Sequence, residues 1–258
     1  MTTTPTQAMI EAYLKHLRLP TIAREYAALA RDAEATNAGY FDYLRAVLEQ
    51  EVRQRDENQL NRRLQRADFP YDKRLEEFDF GAVRSLQPAR VMELMGGGYI
   101  ARHENVLFVG PSGLGKTHLL IALGRAACLA GYRVIFRTAT ALANELELAQ
   151  RELRLERVQW QYRKYDLLLV DEVGYLPVSQ LAAQLLFALF SDRYERASIG
   201  LTTNLDFAQW TEVFGNERMT AALLDRLTHR SHIVVLEGAS YRFQQTLHRQ
   251  HQGVTNEA

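Results

Sequence analysis

Apolar side chains recur at helical spacing in the first quarter of the chain, where no segment has the pattern of a strand. Two sets follow one helix face: Ile10, Leu14 and Leu17, then Tyr40, Tyr43, Leu44, Val47 and Leu48. Pro20 is expected to end the first helix or open the second, and Asn37-Ala38-Gly39 marks another break. We therefore predict a small all-helical domain over residues 1–67, with two to four helices, followed by a linker over 68–80.

From residue 81 onward, short apolar runs alternate with amphipathic segments. The runs predict strands at Asn105–Gly110, Arg133–Arg137, Asp166–Asp171, Ser198–Asn204 and Ser231–Glu237. Helices are predicted between them at His118–Ala130, Leu142–Arg157, Ala182–Tyr194 and Met219–Leu227. Nearly continuous apolar strands are typical of a parallel sheet covered on both faces. We expect an α/β fold, a three-layer αβα sandwich over 81–250 with its ligand at the carboxyl ends of the strands, and a loose tail over 251–258.

A glycine-rich loop between the first of these strands and its helix is the strongest chemical signal. It reads Gly110-Pro111-Ser112-Gly113-Leu114-Gly115-Lys116-Thr117, the G-x-x-x-x-G-K-T pattern of a phosphate-binding loop. Small residues let backbone N–H groups turn inward around a β-phosphate, and the helix N-terminus adds its dipole. Lys116 can then reach the β- and γ-phosphates, and the Thr117 hydroxyl can ligate Mg²⁺. The chain is predicted to bind a nucleoside triphosphate.

Two acids follow the third apolar strand, in the order Asp171 and Glu172. In a phosphate-loop protein the first acid holds the Mg²⁺ shell and the second can activate the attacking water. Asn204 ends the next strand, and its amide can both donate and accept, as a residue that orients this water must. Asn204 is therefore the preferred candidate, and a turn or helix N-cap role is the alternative.

Arginines near the end of the chain are candidates for a contact to the γ-phosphate. Arg226 lies near the end of a predicted helix, where it could stabilise transition-state charge in its own or a neighbouring subunit. A cation at a helix C-terminus also offsets the helix dipole, so both interpretations stay open. Arg242 carries the same ambiguity, and Arg218 is a third, weaker candidate.

Composition restricts the class of protein. The chain has 258 residues, zero formal net charge and a single cysteine, Cys128, in an apolar setting typical of a core thiol. Arginines make up 27 of the 31 cationic residues, which suits phosphate recognition or reflects a GC-rich genome. No apolar stretch is long enough to span a bilayer and the start has no signal-peptide pattern, so we expect a cytoplasmic protein without membrane contact.

Taken together, these motifs resemble the AAA+ ATPases of the DnaC/IstB group. The phosphate loop is joined by L-L-L-V-D-E-V-G-Y, T-T-N and A-A-L-L-D-R-L. DnaC-type members load replicative helicases, whereas IstB-type members are helper ATPases encoded with the transposase of bacterial insertion sequences. The IstB type is favoured because the front of the chain is similar to it and contains no cysteine-based metal site. The segments that carry this are Leu17-Arg18-Leu19-Pro20, Glu49-Gln50-Glu51-Val52-Arg53, Ala67-Asp68-Phe69-Pro70 and Leu75-Glu76-Glu77-Phe78-Asp79-Phe80.

The resemblance implies a role for each candidate residue. The loop from Gly110 to Thr117, together with His118, would bind ATP, and Thr117 and Asp171 would hold Mg²⁺. Glu172 would complete the Walker B pair, and Asn204 would be sensor 1. Arg226 would be the arginine finger that reaches a neighbour's nucleotide, with Arg218 and Arg230 as alternatives, and Arg242 would be the sensor-2 arginine. Phe78-Asp79-Phe80 would lie against the adenine, unless it simply packs as a linker; Phe80 is the predicted contact.

The resemblance also implies partners: a homo-oligomer with ATP at its subunit interfaces, duplex DNA bound without strong sequence preference, and a cognate transposase. A DnaC-like helicase loader is the alternative, and a small-molecule kinase fits poorly because no lid or acceptor pocket is evident. No helix-turn-helix or zinc finger is evident, so phosphate contacts must supply DNA binding. Two basic stretches are candidates for these phosphate contacts. They are Arg151, Arg154, Arg157, Arg163 and Lys164, which could instead form a solvated face, and Arg53, Arg55, Arg62, Arg63 and Arg66, which could instead contact a neighbouring subunit.

Overall fold

The computed structural model describes residues 5–175 and 177–238. The predicted sensor-2 arginine, Arg242, and the tail over 251–258 lie outside these residues. The chain forms two compact units that divide between Arg62 and Arg63. The limits predicted from the sequence, a helical domain over residues 1–67 and a linker over 68–80, remain a prediction. Over the described part of the chain, every helix falls short of the length and apolar character that a bilayer crossing requires.

The N-terminal unit is helical, as its apolar periodicity predicts. Its helices are α1 (Pro5–His16), α2 (Pro20–Ala35) and α3 (Tyr40–Ala67), the last of which continues past the division. Pro20 opens α2, where its fixed φ suits the first helical position. The buried Glu51 carboxylate accepts the backbone N–H groups of Thr21 and Ile22 at 3.0 and 3.2 Å, and so caps the N-terminus of α2. Burial alone would raise the pKa of Glu51, but these bonds and one from Arg55 hold it below its usual range.

Within the described residues, five parallel strands form one sheet in the order β2-β3-β4-β1-β5. The strands are β1 (Asn105–Val109), β2 (Val134–Thr138), β3 (Leu167–Val173), β4 (Ser198–Thr203) and β5 (Ser231–Val235). The helices of this unit are α4 (Pro88–Met95), α5 (Gly98–Ala101), α6 (Lys116–Leu129), α7 (Ala139–Arg151), α8 (Leu155–Tyr162), α9 (Gln180–Arg193), α10 (Trp210–Phe214) and α11 (Glu217–Thr228). Short 3-10 turns lie at Leu75–Glu77, Phe80–Ala82 and Phe207–Gln209.

The central strands are buried on both faces, which explains the apolar runs within them. Helices α7, α9 and α11 contribute to the apolar cluster that contains Leu107, Leu168 and Ile199 of the sheet. Cys128 of α6 is buried, as predicted for a core thiol, and burial raises the pKa of its thiol to about 11. The three-layer αβα fold predicted from the sequence is confirmed.

The single helix predicted over Leu142–Arg157 is wrong, because the chain leaves the helix after Arg151. Leu153 adopts a left-handed φ of 55°, and the Arg154 N–H bonds back to the carbonyl of Ala149 at 2.8 Å. Helix α8 then begins at Leu155. No glycine or proline marks this break in the sequence, so periodicity alone could not locate it. Arg151, Arg154 and Arg157 therefore do not share one helix face.

Candidate nucleotide-binding site

The loop after β1 has the backbone that a phosphate cradle requires. Gly110 has a φ of 147°, and a Cβ there would lie 2.1 Å from the Leu236 carbonyl oxygen. Gly115 precedes α6 with a φ of 83°, and a Cβ there would lie 2.6 Å from the Phe78 ring. Only glycine fits either position, because the backbone is left-handed and the space is filled. The loop therefore presents its backbone at the N-terminus of α6.

The Lys116 side chain lies inside this loop. Its Nζ donates to the carbonyl oxygens of Gly110 and Pro111 at 2.6 and 2.7 Å. A cavity of about 650 Å³ opens beside it, within the size range of sites for small ligands. The lining residues include Ser112, Gly113, Gly115, Lys116, Thr117 and His118 of the predicted loop. The cavity and its ammonium group fit a nucleoside triphosphate.

Asp171 lies directly behind the hydroxyl of Thr117. It is buried, and its Oδ1 accepts hydrogen bonds from the hydroxyls of Thr117, at 3.0 Å, and Thr202. A buried carboxylate beside a hydroxyl at the edge of a phosphate-sized cavity suits a hard cation such as Mg²⁺. Among the described residues, no cluster of three or more His, Cys, Asp or Glu could hold a metal without further ligands. A cation here would thus need phosphate oxygens or water to complete its coordination.

Glu172 is held in an unusual backbone conformation. Its φ is 61°, at an irregularity in the pairing of β3 with β4 between Val170 and Val173. The Glu172 N–H donates to the Thr202 hydroxyl at 2.9 Å, so one threonine fixes both acids. A left-handed glutamate costs free energy and persists where the surroundings impose it, often at functional sites. The result is that its exposed carboxylate lines the cavity next to the buried Asp171.

The tip of β4 contributes a second residue besides the predicted one. Asn204 is exposed after the end of β4 and lines the cavity with Glu172, while its role in orienting the water remains a prediction. Thr202 also lines the cavity, and sequence reasoning missed it because Asn204 has the more versatile side chain. The two-residue period of a strand could have identified Thr202, since side chains two residues apart, such as Thr202 and Asn204, point to the same face. Other lining residues that sequence reasoning missed are Tyr71, Lys73, Ile121 and Tyr175.

The linker supplies aromatic rings at the start of α6. Phe78 packs edge-on against His118, with ring centroids 5.3 Å apart, and against Gly115. Phe80 contacts Phe78, with centroids 5.0 Å apart, and is not among the residues that line the cavity. The described contact to the phosphate loop thus belongs to Phe78, and an adenine contact by Phe80 remains a prediction.

The candidate finger arginines lie away from this cavity in their own subunit. Arg226 is half-buried on α11, where it donates to the Ala222 carbonyl at 3.2 Å and lies over the Phe187 ring at 5.0 Å. Arg218, in the first turn of the same helix, and Arg230, two residues after its end, are exposed. None of the three lines the cavity among the described residues. Contact of Arg226 with a γ-phosphate would require a second subunit.

Most of the cations predicted to touch DNA have acidic or polar partners in the structure. Arg151 pairs with Glu147 at 3.4 Å, Arg154 pairs with Glu152, and Arg163 pairs with Asp192 at 2.7 Å. Arg157 lies beside Arg163 and Trp160 in a shallow depression. In the N-terminal unit, Arg53 bonds Gln50 and Arg62 bonds the Asn58 carbonyl.

Three of the predicted DNA cations, Arg63, Arg66 and Lys164, meet in one place. Arg63, near the end of α3, and Lys164, after α8, both line a cleft of about 560 Å³ beside the edge strand β2. We call this the basic cleft; its charged lining residues are Arg63, Arg66, Arg133, Arg137, Lys164 and Glu145. Arg133 and Arg137 are already paired with Asp166 and Asp68, whereas Lys164 lies 3.5 Å over the Trp160 ring. Arg66 forms no ion pair with any described residue.

The comparisons with known proteins agree with this geometry. The model of the family described as "IstB-like ATP binding protein" matches residues 12–249. The chain belongs to this family. The ATP-binding protein of insertion sequence IS21 from Pseudomonas aeruginosa is 39% identical over 236 residues, which are 92% of this chain and 89% of the relative. That of insertion sequence IS5376 from Geobacillus stearothermophilus is 38% identical, over 92% of this chain and 94% of the relative.

Solved structures show the same fold. AMPPCP-bound DnaA from Aquifex aeolicus is 25% identical with a TM-score of 0.56, over 72% of this chain and 56% of that one. The DnaC helicase loader has a TM-score of 0.51 and 19% identity, over 68% of this chain and 99% of that one, so its likeness is one of fold. This chain is an ATPase of the IstB/DnaC group, and the nucleotide that it binds is ATP.

Proposed function

We propose that this ATPase is the helper of an insertion-sequence transposase and that it assembles as a homo-oligomer on duplex DNA. The observation that carries the proposal is the grouping of Lys116, Thr117, Asp171 and Glu172 around one cavity, in a chain of this family. The curated relatives named above come from insertion sequences of different bacteria, which supports a role in transposition.

Each residue of the group has a distinct task. Lys116 leaves its loop carbonyls to bind the β- and γ-phosphates, and Thr117 and Asp171 hold Mg²⁺, which neutralises phosphate charge when bound. Glu172 accepts the proton of the attacking water, because its carboxylate is exposed to the cavity whereas Asp171 is buried. Asn204 orients that water from the tip of β4.

ATP acts as a link between copies of the chain. One subunit provides the phosphate loop, and the next provides Arg226. This arginine does not line the nucleotide cavity of its own subunit among the described residues. Hydrolysis removes the γ-phosphate that this arginine contacts, so the equilibrium then shifts from the assembled to the separated state. Exposed aromatic side chains on the N-terminal unit, Tyr40 at 93% and Phe41 at 88% exposure, are suited to protein partners.

Duplex DNA is bound through its phosphates at the basic cleft. Arg63, Arg66 and Lys164 are the cations there that no carboxylate neutralises among the described residues, and of these Arg63 already donates to the Cys128 carbonyl at 2.9 Å. Contacts to phosphates without base contacts give binding without strong sequence preference.

Electron microscopy and sedimentation with duplex DNA test this function, in Mg·ATP and in Mg·ADP. We expect oligomers on DNA in ATP and their loss in ADP, together with DNA-stimulated hydrolysis and stimulation of the transposase. Lys116→Ala is the matched control, which should remain unassembled in ATP. A protein that stays monomeric and does not bind duplex DNA at saturating Mg·ATP would refute the proposal. Co-purification with a hexameric helicase would instead favour helicase loading.

A further inference from the structure

The linker between α3 and α4 is fixed along the surface of α6. Phe69 fills the space beside Gly124, where a Cβ would lie 2.8 Å from its ring. Asp72 pairs with Arg125 at 2.6 Å, and the Arg74 carbonyl bonds His118 Nε2 at 2.7 Å. The linker therefore follows α6 back from its middle to the phosphate loop.

Between these contacts, two linker side chains reach the nucleotide cavity. Tyr71 and Lys73 both line it, whereas Asp72 between them points to Arg125 of α6. Alternate side chains of an extended segment project to opposite sides, and Arg74 next to them has an extended backbone with φ −109° and ψ 150°. The position of Lys73 at the cavity, with Asp72 turned to α6, agrees with such an alternation of side chains.

The side chain of Lys73 is available to bind a ligand. It is exposed and forms no ion pair with any described residue. Two of the chain's four lysines, Lys73 and Lys116, line this one cavity. The acid Glu172 lines the same cavity and Asp171 lies beside it, so a second lysine would add to the positive charge that Lys116 and Mg²⁺ bring to a bound triphosphate.

We infer that Lys73 is a second phosphate-binding lysine, which the linker presents to the terminal phosphate of ATP. Backbone N–H groups of the loop surround the β-phosphate, which leaves the γ-phosphate to side chains such as Lys116 and a residue of the linker. The γ-phosphate is favoured because Glu172, Thr202 and Asn204 line the cavity together with Lys73. This inference rests on the proposed use of the cavity for Mg·ATP, and it is independent of DNA, transposase and assembly.

Nucleotide affinity is the first test, measured by isothermal titration calorimetry with non-hydrolysable Mg·ATP analogue and with Mg·ADP. We expect Lys73→Met to weaken the analogue about tenfold, the value of one charge-assisted contact at an exposed site, and to change ADP affinity less than about twofold. Lys73→Arg should restore most of the loss because it keeps the charge. Unchanged analogue affinity, or equal weakening for ADP, would overturn the inference.

Lysine acetylation read by mass spectrometry is the second test, with Lys15 and Lys164 as internal controls. Mg·ATP analogue should protect Lys73 and Lys116 and leave the other two reactive, and Mg·ADP should protect Lys116 alone. Labelling of Lys73 that does not respond to the analogue, while Lys116 is protected, would overturn the inference. If Lys116→Met also left nucleotide affinity unchanged, the proposed site itself would be wrong, which separates the two failures.

Discussion

The Thr117 hydroxyl donates a hydrogen bond to the Asp171 carboxylate at 3.0 Å, which joins the first turn of α6 to the end of β3. A cation that binds both oxygens would replace this hydrogen bond with two coordination bonds. We expect Thr117→Val to reduce Mg²⁺-dependent ATP hydrolysis by at least about a hundredfold, a loss typical of removing one group that stabilises the transition state. Thr117→Ser keeps the hydroxyl and should hydrolyse ATP nearly as wild type does. Steady-state hydrolysis over a Mg²⁺ titration checks this, and equal rates for the Val and Ser variants would contradict it.

Glu172→Gln removes the carboxylate and keeps the size and shape of the side chain. We expect ATP hydrolysis to fall by about 10²- to 10⁴-fold, the usual contribution of a general base, while ATP binding and assembly on DNA persist. Single-turnover hydrolysis and sedimentation on the same samples measure the two effects separately. Glu76→Gln, at an exposed linker position, is the matched control. Rapid turnover in the Glu172 variant would show that another group activates the water.

Arg226→Ala should bind ATP and fail to hydrolyse it, with a loss of about 10³-fold or more, because its γ-phosphate contact comes from a neighbour. Mixing it with Lys116→Ala tests this action between subunits. An interface between an intact phosphate loop from the first variant and an intact arginine from the second should recover part of the hydrolysis. Arg218→Ala, on the same helix, and Arg230→Ala, just after its end, serve as comparisons, and normal turnover of the Arg226 variant would transfer the role to one of them.

The sequence was sufficient to predict the phosphate loop and the strands, because there the residue types required by the chemistry or by burial follow a recognisable spacing. The spacing of Gly110, Gly115 and Lys116 defines a phosphate loop, and only glycine fits the first two of these backbone positions. Apolar runs located the strands to within a few residues, since burial on both faces favours apolar residues along most of each strand.

Features that depend on tertiary contacts were not predictable. The left-handed φ of Glu172 follows from the mismatch between β3 and β4, and the break at Leu153 has no glycine or proline to mark it. The position of Lys73 in the cavity depends on the path of the linker along α6, which the Asp72–Arg125 ion pair fixes. Arg63 and Lys164 meet in the basic cleft although about a hundred residues separate them. Local periodicity contains no information on such approaches.

Arg66→Ala with Lys164→Ala should weaken binding to any duplex and reduce its dependence on salt. Each phosphate contact contributes about 0.9 to the slope of log K against log salt, so the double variant should lower the magnitude of the slope by about 2. Fluorescence anisotropy with two unrelated duplexes over a salt series measures the slope. Lys15→Ala with Arg90→Ala, two exposed cations outside the cleft, is the control. An unchanged slope in the cleft variant would place the DNA elsewhere on the molecule.

Glu104 makes the ATPase unit sensitive to acid. Its carboxylate accepts hydrogen bonds from Arg102 and contacts His232 Nε2 of β5, both at 2.9 Å, and these contacts lower its pKa from 4.5 to about 2. A carboxyl whose pKa is depressed in the folded state stabilises the protein above pH 4.5, and this contribution disappears as the pH falls toward 2. We expect Glu104→Gln to cost about 1 kcal/mol in the free energy of unfolding at pH 6, and less at pH 3. Urea denaturation across this range, with Glu76→Gln as the control, measures both values. Parallel pH profiles for wild type and the Glu104 variant would mean that the contacts of this carboxylate do not stabilise the fold.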